Sequence, residues 1–314
     1  MLSSPAQMHI PDGFLSTALS VVLWILTIIT VGASLRRVSD DLGEKQVPMM
    51  GVLAACIFAG QMLNFTVAGG TSGHLLGAAL ATILLGPWAA VLVMSCVIGV
   101  QALIFQDGGL LAMGANIFNM GIIGVVVTHF VYRSIRRAAG DAPWGLFVGG
   151  FASAWISVMT GALAAALQLA ISGTSPANIG IPAMAGVHTL IGIGEGLITV
   201  GALAFLRSTR KDLVGVGVER PAGKAVWVAG LVIAAVLAIA SPLASANPDG
   251  LERVAEDTGF LDKGLAAPYQ IIPDYVFPGI SNEAAATVVA GVVGVIIVAS
   301  VAWLVAYMRR RRTA

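Results

Sequence analysis

The chain has 314 residues, of which 57% are hydrophobic and only 11% charged, with a mean hydropathy of +0.91. A soluble domain carries about 25% charged residues, so this chain cannot clothe a globule in water; its outer surface must be lipid, and soluble enzyme folds are excluded. A formal charge of +1, from 17 basic and 16 acidic residues, points to neither nucleic acid nor an acidic partner.

A helix needs about 20 apolar residues to cross the hydrocarbon core. Such runs lie near 14–35, 48–67, 88–106, 114–132, 144–171, 182–206, 225–244 and 284–308. A ninth, shorter run at 74–86, bounded by Gly73 and by Gly86-Pro87, reads as a short or tilted crossing that turns straight into the next. The expected fold is therefore all-α, a polytopic membrane bundle with a seven-span module followed by a two-span module. With the N-terminus outside and the C-terminus inside, the inner loops hold 15 of the 17 basic residues: Arg36, Arg37, Lys45, Arg133, Arg136, Arg137, Arg207, Arg210, Lys211, Arg220, Lys224 and Arg309 to Arg312. Omitting the short run sets Arg36 and Arg37 opposite Arg133, Arg136 and Arg137, so the positive-inside bias favours nine spans.

The first module covers 8–210 and the second 225–314. A basic segment at 211–224, broken by Pro221, links them on the cytoplasmic side. The connection 245–283 is external, and its seven acids (Asp249, Glu252, Glu256, Asp257, Asp262, Asp274 and Glu283) face only Arg253 and Lys263. Met1 to Gln7 has neither a basic nor an apolar stretch of a signal peptide, so the first span is itself the insertion signal. Cys56 and Cys96 lie inside apolar runs and read as packing residues rather than a disulfide or thiolate site.

Polar groups at membrane depth cost free energy unless paired or facing water, which makes them the functional candidates. Of four histidines, His129 sits one turn before Arg133 at an inner helix end and reads as interfacial. His9 lies just ahead of the first span, where Pro11 and Gly13 forbid a regular helix, a pattern equally compatible with a plain surface turn. His74 follows Gly69-Gly70-Thr71-Ser72-Gly73, whose glycines allow the backbone to fold into a cavity on the same outer side. Two imidazoles approaching from one face suit nickel, copper, cobalt or zinc far better than magnesium or calcium. Glu195 is either a carboxyl held by a neighbouring helix or a partner for His188, about two turns earlier on the same face. Gly192, Gly194 and Gly196 read as close helix packing. Asn64, Asn116, Asn119, Gln61 and Gln101 are further intramembrane polar residues among which sequence does not choose.

The stretch Met8-His9-Ile10-Pro11-Asp12-Gly13-Phe14-Leu15 resembles the N-terminal signature of the CbiM/NikM family, the substrate-capture subunits of energy-coupling-factor transporters for cobalt and nickel. The glycine-rich Gly69 to Leu76 loop and the stretch from His188 to Glu195 are similar to later motifs of that family. Pro248-Asp249-Gly250-Leu251-Glu252, with Val254 to Asp257 and Gly259-Phe260, resembles the PDGLE domain, the accessory small subunit of such transporters, fused here in one chain. The resemblance implies a metal site of four nitrogens: the free α-amine of the initiating Met, the backbone nitrogen and imidazole of the next His, and the loop His. These fall on Met8, His9 and His74; His188 and Glu195, read from their own placement on the seventh span, are candidates for supporting the site and not for binding the ion. Seven residues precede Met8, which as an internal residue has no free amine, so residues 1–7 are expected to be an over-extended start.

The resemblance further implies a non-catalytic, multi-pass cell-membrane component that imports Co(II) or Ni(II) as substrate, uses no catalytic cofactor, and works with a transmembrane coupling subunit and cytoplasmic ATPase subunits. The chain itself has no G-x-x-x-x-G-K-[ST] phosphate loop. An intramembrane metalloprotease is disfavoured because H-E-x-x-H is missing. A self-sufficient secondary carrier or channel is disfavoured because the two modules differ in length and pattern, where internal repeats are expected.

Overall fold

The computed structural model describes residues 8–41, 47–209 and 224–310. The expected surplus start at 1–7 and the linker 211–224, apart from Lys224, lie outside the described residues. All nine apolar runs contain helices: α1 (Thr17–Asp41), α2 (Val47–Gln61), α3 (Ala78–Leu85), α4 (Pro87–Val100), α5 and α6 (Met113–Asn116 and Gly124–Ala139), α7 (Trp144–Ile171), α8 (Ala177–Thr209), α9 (Lys224–Ala240) and α11 (Glu283–Arg309). A short amphipathic α10 (Gly250–Thr258) lies in the connection before α11. A π-helical turn at Ile117–Ile123 joins α5 to α6 without a break, and another at Gln101–Phe105 ends α4.

Seven of these segments are long and apolar enough to cross a membrane. The other two expected spans fall short. At about 1.5 Å per residue, the 15 residues of α2 rise about 22 Å and the eight of α3 about 12 Å, against a core of about 30 Å. The run at 48–67 stops being helical at Gln61 because the chain there enters a two-stranded antiparallel hairpin, β1 (Phe65–Thr66) with β2 (Ser72–Gly73). The hairpin drops His74 into the bundle, and α3 supplies only the remaining distance to Gly86.

Helix ends are pinned at both poles of the bundle. At one, Arg37 lies 5.4 Å over the Trp88 ring and Arg207 5.5 Å over Phe147, placing the last residues of α1 and α8 beside the first of α4 and α7. At the other, Ser16 N–H donates to Ser172 Oγ and Ile272 N–H to the Ile104 carbonyl, both at 3.0 Å. Gly192, Gly194 and Gly196 let Trp155, Phe65 and Phe151 lie directly on α8, the close packing their spacing suggests. The second module docks α9 and α11 on α2, where the Cys56 thiol donates to the Gly230 carbonyl at 3.2 Å and Gly294 receives Phe58. Its connection, 241–282, folds back over the end of the bundle opposite the arginines.

Candidate metal centre

Met8, Ile10, Asp12, Gly13 and Phe14 each hold the N-terminal stretch in place. Met8 N–H donates to Asp107 Oδ1 at 2.8 Å, and Ile10 exchanges two 3.0 Å bonds with the Asn116 amide. Gly109 N–H donates to the Ile10 carbonyl at 3.0 Å, and Asp12 takes Leu110 N–H and Ala112 N–H on separate oxygens at 3.0 and 2.9 Å. The segment is thus bound along the Gln106–Ala112 loop like an added strand, its backbone polar groups satisfied by partners in place of water. Gly13 turns out of it at φ +91°, against the Lys263 carbonyl where a Cβ has no room. Phe14 then seats edge-on against Phe260, ring centres 5.0 Å apart.

This threading buries His9, which is 3% exposed, beside His74, also buried at 8%, with ring centroids 5.9 Å apart. His9 Nδ1 stands 2.9 Å from Asp107 Oδ1, close enough for electrostatic attraction. The N–H direction is misaligned, however, so neither His9 ring nitrogen makes a well-formed hydrogen bond. Burying such a group without partners is costly. His74 Nδ1 lies 3.0 Å from the Leu75 carbonyl, which favours the tautomer with hydrogen on Nδ1 and a lone pair on Nε2. Given metal–nitrogen bonds of about 2 Å, two rings so spaced can address one ion from two sides. Among the described residues no group of three His, Cys, Asp or Glu side chains is placed to hold a metal ion.

Both histidines line a cavity of about 80 Å³, shared with Met8, Asn116, His188 and Asp249. It has room for several waters, and so for a cation that keeps part of its hydration. His188 lies against Gly250, where even a Cβ would come within 3.0 Å of the imidazole. Glu195 does not pair with His188. Its carboxylate accepts Leu76 N–H at 2.7 Å and Gly77 N–H at 3.0 Å, and Gln61 Nε2 donates to the Leu76 carbonyl at 2.8 Å. A glutamate and a glutamine thereby hold the non-helical chain between His74 and α3, a partner other than either one the sequence offered Glu195.

The second module closes the site from outside. Ser72 N–H donates to the Pro248 carbonyl and Ser72 Oγ to the Asn247 carbonyl, both at 2.8 Å, while Ser245 N–H reaches the Asn64 carbonyl at 2.8 Å. Asp249 caps α10 by accepting Glu252 N–H on Oδ1 at 2.7 Å, and burial pushes its carboxyl up to about 7 against that bond. Tyr275, fully buried, donates to Asp107 Oδ2 at 2.6 Å. Burial opposes ionisation of Asp107, but the His9 imidazole, the Tyr275 hydroxyl and Met8 N–H outweigh it and hold the carboxyl below its ordinary range.

Asn116 therefore positions the segment beside the cavity with its side chain, whereas Asn64 takes part only through its main-chain carbonyl, its amide having no hydrogen-bond partner among the described residues. Asn119 instead pairs amide to amide with Gln168 at 2.7 and 2.8 Å, and the Gln101 carbonyl accepts Asp107 N–H at 3.1 Å. His129 is half-buried on α6 beside Phe130 and lines no part of the cavity. Asp107 and Tyr275 escaped the sequence reading. The signal for Asp107 was present in Gln106-Asp107-Gly108-Gly109, an acid among glycines at a helix end, the same grammar that singled out His74. Tyr275 gave no such signal.

Residues 9–213 match the CbiM family, described as the cobalt uptake substrate-specific transmembrane region, and residues 224–311 match the PDGLE domain. The "Putative fused nickel transport protein NikMN" of Archaeoglobus fulgidus is 37% identical over 317 aligned residues, spanning 98% of this chain and 100% of that relative. The "Cobalt transport protein CbiM" of Sorangium cellulosum is 35% identical over 214 residues, 66% of this chain and 94% of its own. A crystal structure of a truncated transition metal transporter shares 31% identity and a TM-score of 0.58, covering 64% of this chain and 99% of that one. The buried histidine pair thus sits in a multi-pass transporter rather than an enzyme, and the chain belongs to the CbiM family of cobalt uptake transmembrane proteins, with a PDGLE domain on the same polypeptide.

Proposed function

We propose that the chain is the substrate-capturing membrane component of an energy-coupling-factor importer for Ni(II) or Co(II), with ATP hydrolysed by separate subunits. The ion is taken by the α-amine of Met8, the backbone nitrogen and imidazole of His9, and the imidazole of His74. The observation that carries this reading is convergence: Met8 N and His9 Nδ1 meet at one point, Asp107 Oδ1, at 2.8 and 2.9 Å, with the His74 ring beside them. Nδ1 is also the ring nitrogen near enough to its own backbone to form a chelate. An all-nitrogen set is what Ni(II) and Co(II) accept and what Mg(II) and Ca(II) decline. The relatives named for nickel or cobalt transport agree with that choice.

Reconstitution into vesicles tests the reading. Ni(II) or Co(II) uptake is expected only when a coupling subunit and ATPase subunits are present with ATP, and to vanish in His9→Ala and His74→Ala. Uptake by the chain alone down a metal gradient identifies a self-sufficient carrier and overturns the importer assignment.

A further inference from the structure

Two cavities meet at the candidate centre. The inner one, about 80 Å³, contains His74 and His188; the outer one, about 50 Å³, is lined by Pro11, Glu252 and Leu261. His9, Asp249 and Leu251 line both, so one imidazole and one carboxyl stand where the two cavities adjoin.

Asp249 is over-qualified as a helix cap. Only Oδ1 is used, accepting Glu252 N–H, and a neutral Asn or Ser caps equally well. The other oxygen has no hydrogen-bond partner among the described residues, although the residue is 4% exposed. That oxygen is not sealed from the cavities the residue lines; burial disfavours the charged form of such a carboxyl, and an arriving cation favours it. Resting on the site proposed above, we propose that Asp249, supplied by the PDGLE module, is the carboxylate that passes a divalent transition-metal ion from the outer cavity to the nitrogens of Met8, His9 and His74.

Chemistry favours transit over permanent ligation. A carboxylate oxygen suits a hydrated ion on arrival, while imidazole and amine nitrogens hold Ni(II) and Co(II) more firmly. Asp249 stands beside the site because it lines the same cavity as Met8, His9 and His74. A group that eases passage lowers the barrier in both directions and leaves the equilibrium nearly unchanged.

The test uses the full chain and Ni(II) chloride, with association and dissociation rates from stopped flow against a chelating indicator and Kd from equilibrium titration. Asp249→Asn keeps the α10 cap and is expected to slow both rates by about tenfold with Kd changed less than about threefold. Asp249→Glu should recover part of the rate. Glu256→Gln, on the exposed face of the same helix beside Arg253, serves as a control for general charge loss and should leave both rates within about twofold. Unchanged rates in Asp249→Asn overturn the proposal. So does a Kd weakened in step with faster dissociation, which marks a permanent ligand, and so does equal slowing in Glu256→Gln, which marks a diffuse field. The site reading is judged separately, since its failure appears as undiminished affinity in His74→Ala.

Discussion

Tyr275 reaches Asp107 across 168 positions of sequence, its phenol 2.6 Å from Oδ2, while Oδ1 of the same carboxylate faces Met8 N and His9 Nδ1. One carboxylate therefore ties the second module to the two nitrogens proposed to chelate the metal. Tyr275→Phe keeps the ring stacked 4.8 Å from Phe105 and removes only the hydrogen bond. It should weaken Ni(II) binding by about tenfold, the scale of losing a group that orients a metal ligand, with little change in melting temperature. Titration and thermal unfolding of the same sample check this; undiminished affinity removes Tyr275 from the coupling.

Glu195→Gln leaves a side chain that accepts well at one oxygen where the carboxylate holds both Leu76 N–H and Gly77 N–H. A buried amide left unpaired costs about 1–3 kcal/mol. We expect faster hydrogen exchange at Leu76 and Gly77, and a drop in metal affinity of about tenfold through displacement of His74. Exchange confined to other parts of the chain contradicts the positioning role.

His74→Ala should abolish tight Ni(II) or Co(II) binding while the protein remains inserted in the membrane, whereas His129→Ala, on α6 away from the cavity, should do neither. Equal loss in both variants points to misfolding instead of lost ligation.

A chain whose first residue is Met8 should bind metal more tightly than one retaining Leu2 to Gln7, because only the former offers an amine there. Intact-mass measurement of the metal-bound protein decides it. Tight binding by the longer chain removes the amine from the ligand set.

The acids of the 245–283 connection admit two roles, steering cations by their field or belonging to a loop that acts on conformation. Asp257 and Glu256 stand 3.1 and 3.9 Å from Arg253, so part of their field is already cancelled. The clasp itself is made of main-chain bonds, from Ser72 to Pro248, Ser245 to Asn64, Leu265 to Asp12 and Ile272 to Ile104. Neutralising Glu256, Asp257 and Asp262 together should slow metal association at low salt by no more than about twofold, an effect lost once screening shortens to about 10 Å near 0.1 M. A large defect that persists at high salt speaks against this division of labour.

Sequence alone made much of this visible. Hydropathy located every apolar helical run but not the amphipathic α10, and glycines beside His74 identified the loop that enters the bundle. Span length was harder, because apolar residues continue through Leu63 and Phe65 after the α2 helix has ended, and only the hairpin pairing of Phe65 with Gly73 reveals the turn. Asp107 and Tyr275 acquire meaning from contacts made far along the chain, which no local pattern encodes. His188 and Glu195 share a helix and an expected association, yet one abuts Gly250 and the other holds Leu76, since each answers to a different neighbour of α8.

The clasp between Ser72 and Pro248 also bears on how the molecule is made. A ribosome delivers Met8 and His74 long before Asp249 and Tyr275, and domains generally form in order of synthesis. Contacts across such sequence separations close late. The cavity therefore gains its last wall only after the PDGLE loop has been exported and has folded back over the bundle.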